Sequence, residues 1–274
     1  MIINMGYRGK VGASVPKFTY TGDYNVREDG VVELLTSGTL VFLNPAVIDV
    51  FCVGGGGAGR FTLYSSNRGY GGGGGGYTKT VKKINVSNSY QITIGNGATP
   101  SNSSGVGPRG GTTSFGDLIS AEGGHTGSSS GYMTDGSAGG SGGGGGVTSN
   151  SNYGMGGSDG GNGEDGYGTS GNQNGGAGQA TTTREFGEEN GKLYAGGGGG
   201  GRYMYSSTPI VSMGGAGGGG AGGWAGTIIN EYQTAGAGGA NTGGGGGGGA
   251  IGGSSTRASA GAGGSGICCF RMAK

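Results

Sequence analysis

Apolar and polar positions alternate with a period of two in several stretches between residues 38 and 121, and nowhere does a period of 3.6 persist. Thr39-Leu40-Val41-Phe42-Leu43 and Val47-Ile48-Asp49-Val50-Phe51-Cys52-Val53 are β-branched and aromatic, and Asn44-Pro45 lies between them. That pattern predicts two strands joined by a turn. Tyr77-Thr78-Lys79-Thr80-Val81 and Tyr90-Gln91-Ile92-Thr93-Ile94 predict two more, separated by a turn near Asn88-Ser89. Thr112 to Phe115 and Asp117 to Ala121 predict a shorter pair. The chain closes on a last apolar strand, Ile267-Cys268-Cys269-Phe270-Arg271-Met272.

Between these strands lies a different kind of sequence. Of 274 residues, 82 are glycine, gathered in runs such as Gly71 to Gly76, Gly142 to Gly146, Gly196 to Gly201, Gly217 to Gly220 and Gly243 to Gly249. Glycine has no side chain to bury, so such a region either stays disordered or packs backbone against backbone. Strands at both ends of the region favour the second outcome, with the two ends pairing and the glycine segments folded between them. Glycine runs adopt the left-handed threefold polyproline II geometry, which has no internal hydrogen bonds and points its polar groups outward in three directions. Neighbouring threefold helices supply the partners only where neither carries a Cβ facing the other. Ala216, Ala221, Ala237 and Ala240 suit outer positions of such a bundle. The expected fold is all-β and irregular: a small sandwich-like strand base, a packed bundle of polyglycine II helices and almost no α-helix. Residues 1–36 form an N-terminal attachment segment in this reading, and 37–274 the glycine-rich domain.

Charge and cysteine content narrow the function. The formal net charge is +1 and charged residues are 11% of the chain, so no nucleic-acid partner is implied. Five prolines and no Gly-X-Y period exclude collagen. Cys52, Cys268 and Cys269 are an odd set inside apolar runs, which reads as reduced, buried thiols. The N-terminal residues lack a signal-peptide pattern, and no apolar run approaches the ~20 residues of a membrane span, so neither secretion nor membrane insertion is expected.

The strand-to-glycine junctions carry a resemblance. Val47 through Val53 into Gly54-Gly55-Gly56-Gly57, Gly74-Gly75-Gly76-Tyr77-Thr78-Lys79, Tyr90 to Gly95, Gly110-Gly111-Thr112-Thr113-Ser114-Phe115-Gly116 and Gly264-Ser265-Gly266-Ile267 resemble the glycine-rich domain of bacteriophage and prophage tail proteins over residues 38–274. The composition is also similar to that of the polyglycine II tail-tip adhesins of T-even-like phages. The resemblance implies a receptor-binding adhesin of the virion tail, assembled in the host cytoplasm, with no enzymatic activity and no cofactor. Its partners would be a bacterial surface receptor, protein or glycan, and other tail proteins held through the N-terminal segment. Fibre symmetry points to a homotrimer. The alternative is a structural tail protein without a receptor.

Candidate binding residues sit in the inserts between glycine runs. Arg60, Phe61, Tyr64 and Tyr70 lie in one, Tyr153 in another, Arg202, Tyr203 and Tyr205 in a third, and Trp224 and Tyr232 in a fourth. Tyr, Trp and Arg give large contact area at low entropic cost, and neighbouring Ser and Asn supply adaptable hydrogen bonds. The competing reading is that the aromatics cap the ends of the glycine lattice, Trp224 foremost. Catalytic signatures are lacking. The single His125 reads as a loop or surface residue, and Glu185, Glu188 and Glu189 as a solvated face. Residues 160–167 match one calcium-binding nonapeptide, which needs tandem copies to complete its ligands, so no metal is expected.

Overall fold

A computed structural model describes residues 14–62, 68–100, 107–126, 136–146, 183–203, 211–226, 231–252 and 256–274. Fourteen strands are formed: β1 Phe18–Tyr20, β2 Tyr24–Val26, β3 Val32–Leu34, β4 Gly38–Val53, β5 Arg68–Gly69, β6 Thr78–Thr93, β7 Thr113–Phe115, β8 Ile119–Ala121, β9 Arg202–Tyr203, β10 Trp224–Ala225, β11 Tyr232–Gln233, β12 Ala250–Gly252, β13 Thr256–Ala258 and β14 Ile267–Met272. One 3₁₀ turn, Glu185–Gly187, is present, and no α-helix occurs among the described residues.

The strand base is one eight-stranded sheet, ordered β2-β3-β14-β4-β6-β7-β8, with β1 also paired to β4. The two strands expected at 39–43 and 47–53 are a single strand, β4, and those expected at 77–81 and 90–94 are a single strand, β6. Asn44-Pro45 and Asn88 do not reverse the chain. They sit at irregularities in the β4–β6 ladder, where the register shifts between Phe42 and Ala46 and again between Ile48 and Val50. Lys83 and Asn88 take positive φ, 57° and 67°, and so absorb the bends. The bent sheet folds across its own core. Phe115 of β7 and Phe270 of β14 lie three strands apart in the order, yet their ring centroids are 6.5 Å apart. Phe18, Leu40, Phe42, Ile48, Val50, Cys52, Ile92 and Cys268 complete this core.

The two ends of the glycine region do pair. β14 lies antiparallel on β4, from Ile267 opposite Val53 to Met272 opposite Ile48. The pairing sets Cys52 beside Cys268, buried, with Sγ atoms 3.4 Å apart as free thiols. β1 to β3 precede residue 36 and belong to the same sheet.

The opposite face of the sheet is covered by residues 183–195. Phe186 and Tyr194 pack on Phe51 at 6.1 and 5.4 Å between ring centroids, with Val31, Val53, Ile267 and Cys269 around them. This corrects the solvated reading of the glutamates. Glu185 is buried and receives two hydrogen bonds from Arg27, at 3.0 and 2.7 Å, and one from Tyr194 Oη at 3.3 Å. Glu188 receives two hydrogen bonds from Arg271, which also donates to the buried Asp49 and lies 4.1 Å over the Phe186 ring. Only Glu189 remains exposed.

Beyond Val53 the chain enters a hydrogen-bonded lattice, and its bonding repeats every third residue. Gly54, Gly57 and Arg60 donate backbone N–H bonds to Tyr77, Gly74 and Gly71, while Gly56 and Gly59 donate to Gly264 and Gly261. Tyr70, Gly73 and Gly76 donate to Gly249, Gly246 and Gly243; Gly72 and Gly75 to Gly144 and Ser141; Gly74 and Tyr77 to His125 and Glu122. These donor–acceptor distances are 2.7 to 3.0 Å. The run 243–249 is the centre. It exchanges bonds with six surrounding segments: 57–60, 70–76, 196–199, 220–223, residue 236 and 261–265. A Cβ on Gly245, Gly246, Gly247 or Gly248 would overlap the backbone oxygen of Gly73, Gly261, Ala221 or Tyr70. Alanines occupy the margin as expected: Ala216, Ala237 and Ala240 are exposed and Ala221 is half-buried.

Gly246→Ala therefore has only backbone to displace, and the expected loss of unfolding free energy in a denaturant titration is on the order of 3–5 kcal/mol. Gly226→Ala is the contrasting case, because its Cβ would meet the flexible, exposed Glu231 side chain. That change is expected to cost no more than ~1 kcal/mol.

The Glu188–Arg271 pair predicts a pH dependence. The guanidinium holds the Glu188 carboxyl at about 2, below its ordinary 4.5. A carboxyl depressed on folding contributes stability above its unfolded value and loses it as pH falls through the folded value. Stability is expected to decline between pH 4.5 and 2, and Glu188→Gln to flatten that part of the profile in thermal scans.

Candidate functional site

The lattice has a direction. Its segments leave the sheet at Val53 and return to it at Thr78. Two tight turns lie near the sheet. Gly217 is close enough to Tyr194 that a Cβ there would meet it, and Asn241 Nδ2 donates to the carbonyls of Leu35 and Gly266. At the far end the lattice finishes in two small sheets, β11-β10-β9 and β13-β12-β5. The described residues 62, 68, 203, 226, 231, 252 and 256, which border undescribed inserts, all lie at this far end.

Register fixes which side chains meet there. Trp224 on β10 is paired with Arg202 on β9 and Gln233 on β11, so the three share one face. The indole Nε1 donates to Gln233 Oε1 at 3.1 Å. Tyr203, Ala225 and Tyr232 form the neighbouring row, on the opposite face. In the second sheet Ile251 stands between Arg68 and Arg257.

The expected binding residues fall into three groups. Tyr232 is exposed, at 47%, and Tyr203 and Trp224 are half-buried, so these three present aromatic surface to solvent. Arg202 is adjacent but 9% exposed. Arg60, Phe61 and Tyr70 are buried. Phe61 and Tyr70 meet edge to face at 6.0 Å and pack with Ile251, and Tyr70 Oη donates to the Thr62 carbonyl at 3.3 Å. For Phe61 and Tyr70 the capping role holds, because a lattice of glycine leaves its end without an apolar plug and these two rings fill it. Trp224 is half-buried and does not pack in that cluster. Tyr64, Tyr153, Tyr205 and the nonapeptide at 160–167 lie outside the described residues. Arg68, Gln233 and Arg257 join the site without having stood out in the sequence. Pairing of residues 68, 251 and 257 across three short strands carries no local signal.

Burial pushes the Arg202 guanidinium below its ordinary pKa, and burial does the same to Arg60. His125 lies in a lattice segment and is half-buried. Its carbonyl accepts from Gly74 and its N–H donates to Ala138, while its Nε2 lies 2.6 Å from Arg109 Nη2. Burial and the Arg109 charge lower its pKa. Among the described residues no three of His, Cys, Asp and Glu gather at metal-binding distances.

A comparison with curated proteins finds no match. The model of the glycine-rich domain matches residues 36–273, from the start of β4 through β14 and including every lattice segment. That extent covers most of the 274 residues, and the chain belongs to the glycine-rich domain family.

Proposed function

We propose that the protein is a phage tail adhesin that presents the far end of its glycine lattice to a bacterial surface receptor. One observation carries the reading: the ends of the described chain and the candidate binding residues lie at opposite poles. The Lys17 carbonyl accepts from Leu43, and Ala273 N–H donates to Val47, so both flank the bend in the middle of β4, away from its junction with the lattice at Val53. Trp224, Tyr203 and Tyr232 stand at the other pole, on strands that each continue into the lattice at one end, where Gly201, Gly223 and Ala235 donate to Tyr70, Gly248 and Ser259. A molecule anchored at its sheet and contacting a target at its lattice tip has this polarity. Short strands anchored in an ordered lattice lose little freedom on binding, which favours affinity. The N-terminal residues would join other tail proteins, and the virion tail would be the place of action.

The lattice segments are read as polyglycine II helices. The three-residue repeat of donors supports this, because that helix has three residues per turn and no internal bonds. Backbone chemical shifts of the 243–249 run are expected to report φ near −75° and ψ near +145°. Shifts typical of extended β-strand throughout the run would remove the assignment.

Purified protein is expected to adsorb saturably to some members of a panel of bacterial cells and not to others. Trp224→Ala and Tyr232→Ala are each expected to weaken adsorption about tenfold, in the range of aromatic hot spots, while leaving the melting temperature nearly unchanged. Equal adsorption by wild type and both variants would remove these residues from the binding site, and no saturable adsorption to any cell would leave the structural tail role in its place.

A further inference from the structure

The charges of the described residues are divided unevenly along the molecule. Residues 14–50, 77–126, 183–195 and 267–274, the sheet and its cover, contain ten acidic and ten basic residues. The far end of the lattice holds Arg60, Arg68, Arg202 and Arg257 against one carboxylate, Glu231. The bordering inserts 63–67, 204–210, 227–230 and 253–255 add no acidic residue to the sequence there, whereas the insert 147–182, which begins after Gly146 beside Gly69, carries Asp159, Glu164 and Asp165. Among the described residues the far end thus carries four arginines and one carboxylate.

These cations are placed together by backbone contact. A Cβ on Gly69 would meet the Gly201 carbonyl and the Arg202 nitrogen, which sets Arg68 and Arg202 on touching segments. Arg68 and Arg257 flank Ile251 in one register row, two strand spacings or roughly 10 Å apart. No salt bridge joins Arg68, Arg202 or Arg257 to a carboxylate among the described residues. The contrast with the sheet end is direct, since Arg27 and Arg271 there are held by Asp29, Glu33, Glu185, Asp49 and Glu188.

All the basic groups at this pole are arginine, whose planar fork binds carboxylate and phosphate oxygens in pairs. The half-buried Trp224 indole stands beside Arg202 with the Gln233 amide on its other side, a surface suited to a sugar ring. Burial disfavours the Arg202 charge, and an arriving anion would offset that cost.

Resting on the adhesin reading, we infer that the lattice tip recognises an acidic glycan, with Arg68, Arg202 and Arg257 binding its carboxylate or phosphate groups and Trp224 stacking on a ring. The anionic group is the shared chemistry, and the two sources separate by probe. Polygalacturonate carries carboxylates and phosphorylated mannan carries phosphates. Dextran is the neutral control and double-stranded DNA the unspecific polyanion.

Binding of full-length protein to each immobilised polymer tests the inference. Saturable binding is expected to one or both acidic glycans, with none to dextran and at least about tenfold weaker binding to DNA. Raising salt from 50 to 200 mM is expected to weaken it several-fold, as screening requires. Arg202→Gln, and Arg68→Gln with Arg257→Gln, are each expected to weaken binding about tenfold. Arg257 is exposed and Arg68 half-buried, so the double variant carries the test if Arg202→Gln does not fold. Binding equal on dextran or DNA, binding insensitive to the arginine variants, or no binding to either acidic glycan would each overturn the inference. Cell adsorption measured in parallel separates the two readings. Wild-type adsorption that survives the double variant and high salt leaves an adhesin without acidic-glycan recognition. Acidic-glycan binding without adsorption to any cell leaves the charge recognition and removes the adhesin role.

Discussion

The absence of Cβ atoms at the contacts of the lattice is the constraint on which the rest depends. No N–H of the run 243–249 bonds to a carbonyl of the same run, and its backbone groups are satisfied largely through other segments. Ordering a residue costs ~1–2 kcal/mol, and a backbone hydrogen bond returns a net ~0.5–1.5 kcal/mol. The two terms are of similar size, so the lattice gains little merely by forming. The penalty for a buried group left unpaired is larger, ~1–3 kcal/mol. A lattice with one displaced segment therefore loses several bonds at once, and its natural states are complete or absent. The run 243–249, bonded to six neighbours, is where that cooperativity concentrates.

Such a lattice needs an external source of stability, and the sheet supplies it. Residues 48–53 of β4 and most of β14 are buried on both faces, one against Phe18 and Phe115, the other against Phe186 and Tyr194. Apolar burial of aromatic side chains contributes ~1.5–3 kcal/mol each, a driving force the glycine segments lack. The ion pairs over residues 183–195 play a different part. Desolvation offsets much of the attraction in a buried pair, but removing one partner is costly. Arg27–Glu185 and Arg271–Glu188 therefore fix where this segment docks more than they add to stability. That docking sets the start of the run 196–201, whose Gly198 and Gly201 then meet Gly73 and Tyr70.

The sequence disclosed what depends on local pattern and concealed what depends on distant pairing. Apolar alternation revealed the strands, and runs of glycine revealed where backbones touch. Asn44-Pro45 and Asn88-Ser89 misled because the same residues serve turns and bulges. Only the partner strand, which continues past both, decides between them. Glu185 and Glu188 looked solvated because their cations, Arg27 and Arg271, lie 158 and 83 residues away in the chain. The tip was half legible. Its aromatics stood out as a group, but the division between plugs such as Tyr70 and half-buried residues such as Trp224 depends on which face of a two-residue strand meets the lattice.

A scaffold built this way separates shape from surface more completely than a side-chain core does. Substitutions at the tip touch residues on short strands whose backbones are held from below, so tip chemistry can change without repacking an interior. The reverse does not hold: a change at Gly246 reaches Gly57, Gly73 and Gly261 through three different segments. Arg68, Arg202 and Arg257, which join no salt bridge among the described residues, are a destabilising arrangement for small sheets. They persist here because the strands that bear them are held in place by glycine backbones, which carry no charge and no side chain to yield. The stability of the lattice is what permits an electrostatically unfavourable surface at its tip, and such a surface is the kind that an anionic target would relieve.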